Sequence, residues 1–237
     1  MTLRPPDFLL SRVLYRDGLM LVIDKPAGLA VHPGPSGGES LEDYFGALRF
    51  GLPRAPALAH RLDRDTTGCL VLGRHAKALR KLGKLFSQNK VEKTYWALTR
   101  GVPEKLSATI DAPLKKTSDK GGWRMVIADD GQSAATSYRV LTSTGGVSFI
   151  EAKPKTGRTH QIRIHLASIG CPVIGDPFYG DLSPEDRGRA MMLHARRVVV
   201  PISKNNPAVI VEAPPPGAMT AFMAHLGFDA PSPAAND

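Results

Sequence analysis

The chain has 237 residues, 42% of them hydrophobic, which is enough for a proper core without disulfide or metal staples. Lys and Arg outnumber Asp and Glu 31 to 22, a formal net charge of +9 that fits a polyanionic partner, nucleic acid ahead of an anionic membrane surface. No apolar run approaches the length of a membrane span, and the N-terminal stretch has no apolar core or small-residue cleavage site of a signal peptide.

The first predicted element is a buried strand over Leu19 to Asp24, stopped by the turn chemistry of Lys25-Pro26-Ala27-Gly28. The stretch His32 to Gly38 reads as a loop, and it lacks the Gly-Lys-Ser/Thr that cradles nucleotide phosphates. Ser40 can cap a helix over roughly Leu41 to Phe50. A second buried strand covers Cys69 to Leu72. The next segment, Lys77 to Phe86, puts Leu79, Leu82 and Phe86 on one face of a helix and Lys77, Arg80, Lys81 and Lys84 on the other. That basic face can track phosphates or simply be solvated.

Lys93 to Arg100 reads as a strand, and Lys115 to Gly122 as a polar, mobile surface loop. Ser137 to Leu141 and Val147 to Ala152 pair across Thr144-Gly145-Gly146. A helix then starts from Thr159 as N-cap, carries Ile162, Leu166 and Ile169 as its apolar stripe, and stops at Gly170. Late strands cover Leu193 to Ile202 and Ala208 to Val211, and the tail is expected to be disordered. Without a repeat or a long linker, one mixed α/β domain is the simplest organisation. Cys69 and Cys171 each sit in apolar surroundings and read as small buried hydrophobes, which fits a reducing cytoplasm.

The chemistry concentrates in His60-Arg61-Leu62-Asp63-Arg64-Asp65-Thr66-Thr67-Gly68, five ionisable side chains and two hydroxyls just ahead of a buried strand. Taken alone, that run fits a salt-bridged turn better than an active site, and it leaves Asp63 and Asp65 both open as the reactive carboxylate. Metal binding is disfavoured, because neither His60 with Asp63 nor His160 with His165 has the spacing of known zinc sites. A serine hydrolase is disfavoured too, since no Gly-x-Ser-x-Gly elbow is present.

His60-Arg61-Leu62-Asp63-x-x-Thr66-Thr67-Gly68 resembles the signature of the RluA-type pseudouridine synthases. Further segments resemble that family in the same order. Tyr15-x-Asp17 leads into Lys25-Pro26-Ala27-Gly28-Leu29-x-Val31-His32, and Lys93-Thr94-Tyr95 follows. Thr156-Gly157-Arg158-Thr159-His160-Gln161-Ile162-Arg163-Ile164-His165 comes next, then Gly175-Asp176-Pro177-Phe178-Tyr179-Gly180 and Leu193-His194-Ala195. The resemblance runs from about residue 13 to residue 212.

It implies an α+β pseudouridine synthase catalytic domain over residues 13–228, with an arm over 1–12 and a tail over 229–237. That fold is a bent, mixed, mostly antiparallel sheet with flanking helices and a central RNA cleft. Many relatives carry an N-terminal S4 RNA-binding domain, for which no room is expected here. The implied activity is uridine isomerisation in tRNA, ribosomal RNA or both, by a monomer, with neither cofactor nor metal. A catalytically dead RNA-binding module and a small-molecule nucleoside hydrolase are the competing functions.

By the same resemblance Asp63 is the catalytic aspartate, Arg163 its partner, Tyr95 the ring that stacks on the target base, and Arg61 the residue that faces the opened stem. His60, Arg158 and His160 fall to phosphate contact or scaffolding. These roles suit the reaction. An Arg beside a carboxylate favours its charged form, and an aromatic face offers an extruded base roughly 1–3 kcal/mol of stacking.

Overall fold

The computed structural model describes residues 4–34, 37–119, 122–180, 184–203 and 205–229. Strands β1 (Val13–Arg16) and β2 (Met20–Lys25) form a hairpin, followed by a 3₁₀ helix over Leu41–Arg49. Then come β3 (Ala57–Leu58), β4 (Thr67–Gly73), helix α1 (Ala76–Ser87), β5 (Glu92–Arg100) and β6 (Ser107–Asp111). A hairpin of β7 (Leu114–Asp119) and β8 (Gly122–Ile127) precedes β9 (Ala135–Thr144), β10 (Val147–Pro154) and helix α2 (Gln161–Ser168). Strands β11 (Leu193–Val200) and β12 (Val209–Glu212) and helix α3 (Gly217–His225) complete the order.

The architecture is α+β. One sheet runs β1-β2-β4-β11-β5-β10-β9-β6, with β12 paired to β11 and β3 to β4. Its pairings are antiparallel except that of β4 with β11, where Thr67 and Gly68 lie beside His194 and Ala195. This parallel join ties a late strand directly behind the His60–Gly68 segment. β4 is buried along its whole length, which explains its continuous apolar run. The largest core cluster joins Leu21, Ile23, Leu70 and Leu72 of the sheet to Leu62, Tyr95, Ile162 and Leu166 around the site.

Several expectations are corrected. Lys115–Asp119 and Gly122, expected in a loop, belong to the paired strands β7 and β8. These strands are largely solvent-exposed, so they lack the apolar alternation that marks a half-buried strand. The N-cap of α2 is His160 rather than Thr159, and His160 takes a left-handed backbone, φ 55°. The helix after Ser40 winds as 3₁₀ over Leu41–Arg49, with the Asp43 carboxylate accepting the Ser40 N–H at 2.8 Å. Strands β1 and β6 and helix α3 have no counterpart among the predicted elements. β6 alternates half-buried and exposed residues over only five positions, with Ile110 its one large aliphatic side chain, so its pattern is faint.

Residues 4–12, expected as an arm, are docked, with Leu9 fully buried in the main cluster. The expected tail from residue 230 onward lies outside the described residues. Elsewhere the predicted elements sit within a few residues of their positions, and Gly170 follows α2 in the left-handed conformation foreseen for it. Both cysteines are free and buried. No helix among the described residues is long and apolar enough to cross a membrane.

Candidate active site

A cleft of about 360 Å³ opens beside the start of β4. It is lined by His60, Arg61, Leu62, Asp63 and Thr66 from the loop before β4, by Phe86, Asn89, Lys93 and Tyr95, and by residues of the 154–163 segment. The sequence-predicted residues Asp63, Arg163, Tyr95, Arg61, His60, Arg158 and His160 thus all face one space. Asp65 is not among the lining residues, which separates the two carboxylates of the loop.

The loop is held from both ends. Leu62 is buried in the core, and the Thr66 N–H closes a turn on the Asp63 carbonyl at 3.2 Å. Beneath it lies Lys25, fully buried at the end of β2. Its Nζ donates to the carbonyls of Pro26, Arg64 and Thr66 at 2.8, 2.7 and 3.1 Å. Burial pushes the Lys25 ammonium down to about 8, against the raising charges of Asp65 and Asp63. The sequence placed Lys25 in a turn and in a motif without a role; the need for three carbonyls to share one buried donor is not visible along the chain.

Arg163, on the first turn of α2, is almost wholly buried. Its Nη1 donates to Asp63 Oδ2 at 3.1 Å. The other two nitrogens go elsewhere: Nε donates to Asp176 Oδ2 at 2.7 Å and Nη2 to Asp176 Oδ1 at 2.6 Å. Burial opposes the charge on Arg163, but hydrogen bonds and charge from Asp176 and then Asp63 more than offset it, so its pKa lies above the ordinary arginine value. Asp176 is therefore a site residue that sequence reasoning missed. It stood in a quoted motif without a role, because nothing local shows that it meets Arg163.

Asp176 also organises its own turn, its Oδ1 accepting the N–H groups of Phe178 and Tyr179 at 2.9 and 3.3 Å. That turn places both rings near the guanidinium, whose carbon is 5.5 Å from the Phe178 centroid and 5.1 Å from that of Tyr179.

Tyr95 lies on β5, mostly buried, with its ring in the cleft wall. Burial first, and then the Asp63 charge, push its phenol up, so it stays protonated. Arg61 is exposed at the cleft. Arg158 is exposed and donates from Nε to the Ser133 carbonyl at 3.1 Å. His60 takes a structural contact: its Nε2 accepts the Val71 N–H at 3.0 Å and its ring stacks on Phe86, centroids 4.4 Å apart. Burial pushes its pKa down to about 3, so the ring is neutral and carries no charge for a phosphate. That geometry favours scaffolding over phosphate contact. His160 is likewise lowered, chiefly by burial, and its Nδ1 lies 2.7 Å from the Tyr179 hydroxyl.

His165, considered above with His160 for metal binding, is a satisfied core histidine whose nitrogens meet Thr136 Oγ1 at 2.9 Å and the Ala112 carbonyl at 3.0 Å. Among the described residues no group of three His, Cys, Asp or Glu is placed to hold a metal ion. Gln161, a second missed residue, is buried and braces the loop before α2. Its Oε1 accepts from Thr156 and from the Arg158 N–H, while its Nε2 donates to the Ala135 carbonyl and to Thr136.

Known proteins share this sequence and fold over most of the chain. A family model described as RNA pseudouridylate synthase matches residues 19–168. An uncharacterised RNA pseudouridine synthase of Zymomonas mobilis is 47% identical over 222 residues, 93% of this chain and 99% of that protein. The ribosomal large subunit pseudouridine synthase D of Nitrosomonas europaea is 35% identical over 229 residues, 90% of this chain and 64% of that protein, so this chain spans less than two thirds of it. Among solved structures, human RNA pseudouridylate synthase domain containing 4 is similar with a TM-score of 0.82 and 28% identity, over 96% of this chain and 97% of that one.

Proposed function

We propose, from the premise that this chain belongs to the RNA pseudouridylate synthase family, that it isomerises specific uridines in structured RNA through Asp63, on a nucleotide flipped out of its stack. The observation that carries the reading is the pairing of Asp63 with a buried Arg163 on the floor of an open cleft. Asp63 is half-buried and reachable, and Arg163 holds it in one orientation.

The reaction breaks the C1′–N1 bond of uridine and joins C1′ to C5 of the turned ring. The C5 proton leaves and N1 gains one, so no atom is added and the residues present can serve it. Inside a duplex the bond is out of reach, and extrusion of the base costs about a few kcal/mol. Tyr95 offers the extruded uracil a face in the cleft wall, and Arg61, exposed at the cleft, is placed to enter the gap it leaves. The net charge of +9 supplies attraction to phosphate along the rest of the RNA.

Ribosomal RNA leads as substrate, since one relative is named for the large ribosomal subunit; tRNA follows. Two free, buried cysteines suit a reducing compartment, and we place the reaction in the cytoplasm.

The test is Asp63→Asn, assayed by release of C5 tritium from labelled RNA of a strain lacking the gene. The expected result is a loss of roughly 10⁴-fold or more, with RNA affinity kept within a few-fold. Activity surviving in that variant would sink the assignment.

A further inference from the structure

The mouth of the cleft carries aromatic surface that the reaction above does not use. Trp123 on β8 is 47% exposed, and Phe178, in the turn made by Asp176, is 62% exposed. Both lie against His160. The indole and imidazole centroids are 5.3 Å apart with planes 29° from parallel, and the Phe178 ring is 5.9 Å from the imidazole.

His160 connects this surface to the site, since it also lines the cleft that holds Asp63. The Tyr179 hydroxyl accepts the Met125 N–H of β8 at 3.2 Å and lies 2.7 Å from His160 Nδ1, so the hairpin is fastened to the cleft wall rather than waving free. A fixed aromatic ledge is thereby continuous with the cleft.

Large aromatic rings left in water at the rim of a binding site are available for stacking. The surrounding charge says on what. Lys115, Lys116 and Arg124 belong to the same hairpin, and Lys116 Nζ lies 4.8 Å from the indole centroid. Lys116 is exposed on a flexible stem, so it can yield the ring to a base and move to a phosphate. Aromatic faces interleaved with cations beside a nucleotide cleft match a single-stranded nucleic acid better than an apolar protein surface.

We infer that Trp123 and Phe178 form a ledge on which an unpaired nucleobase next to the target uridine stacks. The ledge makes this enzyme favour RNA whose target uridine has an unpaired neighbour. The inference rests on the reading of the partner as RNA, but not on the role of Asp63.

The experiment uses the full chain and two stem-loop RNAs, one with an unpaired loop containing uridine and one with the neighbouring loop bases replaced by abasic riboses. Binding is followed by the anisotropy of a dye at the RNA 5′ end, and stacking by tryptophan emission. The chain has two tryptophans, and the other, Trp96, is buried beneath Arg196 and serves as a constant background. The base-containing loop is expected to quench emission and the abasic loop is not. Trp123→Leu should weaken binding of the base-containing loop by roughly 5- to 100-fold while leaving the abasic loop bound as before, and Trp123→Phe should restore most of the difference. Phe178→Leu should show the same selectivity, and unchanged melting temperatures confirm that both variants fold.

Equal affinity of the parent for the two loops overturns the ledge, as does equal weakening on both in Trp123→Leu or no binding to either. Repeating the titration with Asp63→Asn separates the two claims. Pseudouridine formation surviving in that variant counts against the reaction assigned to Asp63, whereas absence of base-dependent quenching counts against the ledge.

Discussion

Asp176 grips Arg163 by two nitrogens, Nε at 2.7 Å and Nη2 at 2.6 Å, and so leaves only Nη1 turned toward Asp63. A two-pronged pair of this kind fixes the plane of the guanidinium. The Asp63 carboxylate then meets a cation that cannot rotate away or take it in a fork. Removing Asp176 would leave a buried charge with one partner. Asp176→Ala is expected to cost about 3–5 kcal/mol of stability, read from urea unfolding, and to lower kcat. A variant with unchanged stability would show that the pair does not hold the site.

Acid should destabilise the fold through its neutral histidines. Burial is the chief cause that pushes His60 down to about 3 and His194 down to about 4, from an ordinary value of 6.5. His194 is closed in by Thr67 Oγ1 at 2.8 Å and the Ala213 carbonyl at 3.1 Å. Between those values and 6.5 the unfolded chain binds more protons than the folded one, so stability rises with pH across that window. It is complete above 6.5 and declines as pH falls toward 4. The urea midpoint should therefore drop on acidification from neutral pH, and His194→Gln should flatten the drop. An equal pH slope in the variant would exclude His194 as a source.

The basic face of α1 should contribute to salt-dependent binding. Lys77, Arg80, Lys81 and Lys84 are all exposed and have no ion pair among the described residues, while Phe86 in the last turn of the same helix and Asn89 just beyond it line the cleft. Reversing two of these charges, Lys81→Glu with Lys84→Glu, should reduce the slope of log affinity against log salt by roughly 0.9 for each duplex phosphate that is no longer neutralised. An unchanged slope would make the face a solvated one only.

Gly68 should tolerate no side chain. Its φ is +103°, and a Cβ there would meet the backbone of Ala195 on β11, its carbonyl oxygen nearest. This close approach is the parallel join of β4 to β11, one residue past Thr67. Gly68→Ala is expected to destabilise by roughly 2 kcal/mol or more and to disturb the loop that carries Asp63. A melting temperature equal to the parent's would contradict this.

By itself the sequence determined the local elements with strong patterns and which residues would gather at the candidate site. The continuous apolar run of β4, the stripe of α1, and the Gly-Gly turn between β9 and β10 are short-range features, set by residue size and backbone preference. The motif around Asp63, with Tyr95, Arg61 and Arg163 in register, named the site through its resemblance to a family. Composition alone left Asp63 and Asp65 equal. Tertiary structure decided what depends on distant charges meeting. Asp63 and Arg163 stand 100 residues apart in the chain, and the buried donor of Lys25 reaches carbonyls 39 and 41 residues ahead. The burial that turns His60 into a neutral prop, and Asp176 into the anchor of Arg163, arises only once the sheet has closed around them. The exposed β7–β8 hairpin was illegible for the opposite reason, since strands without a buried face leave no apolar period to read.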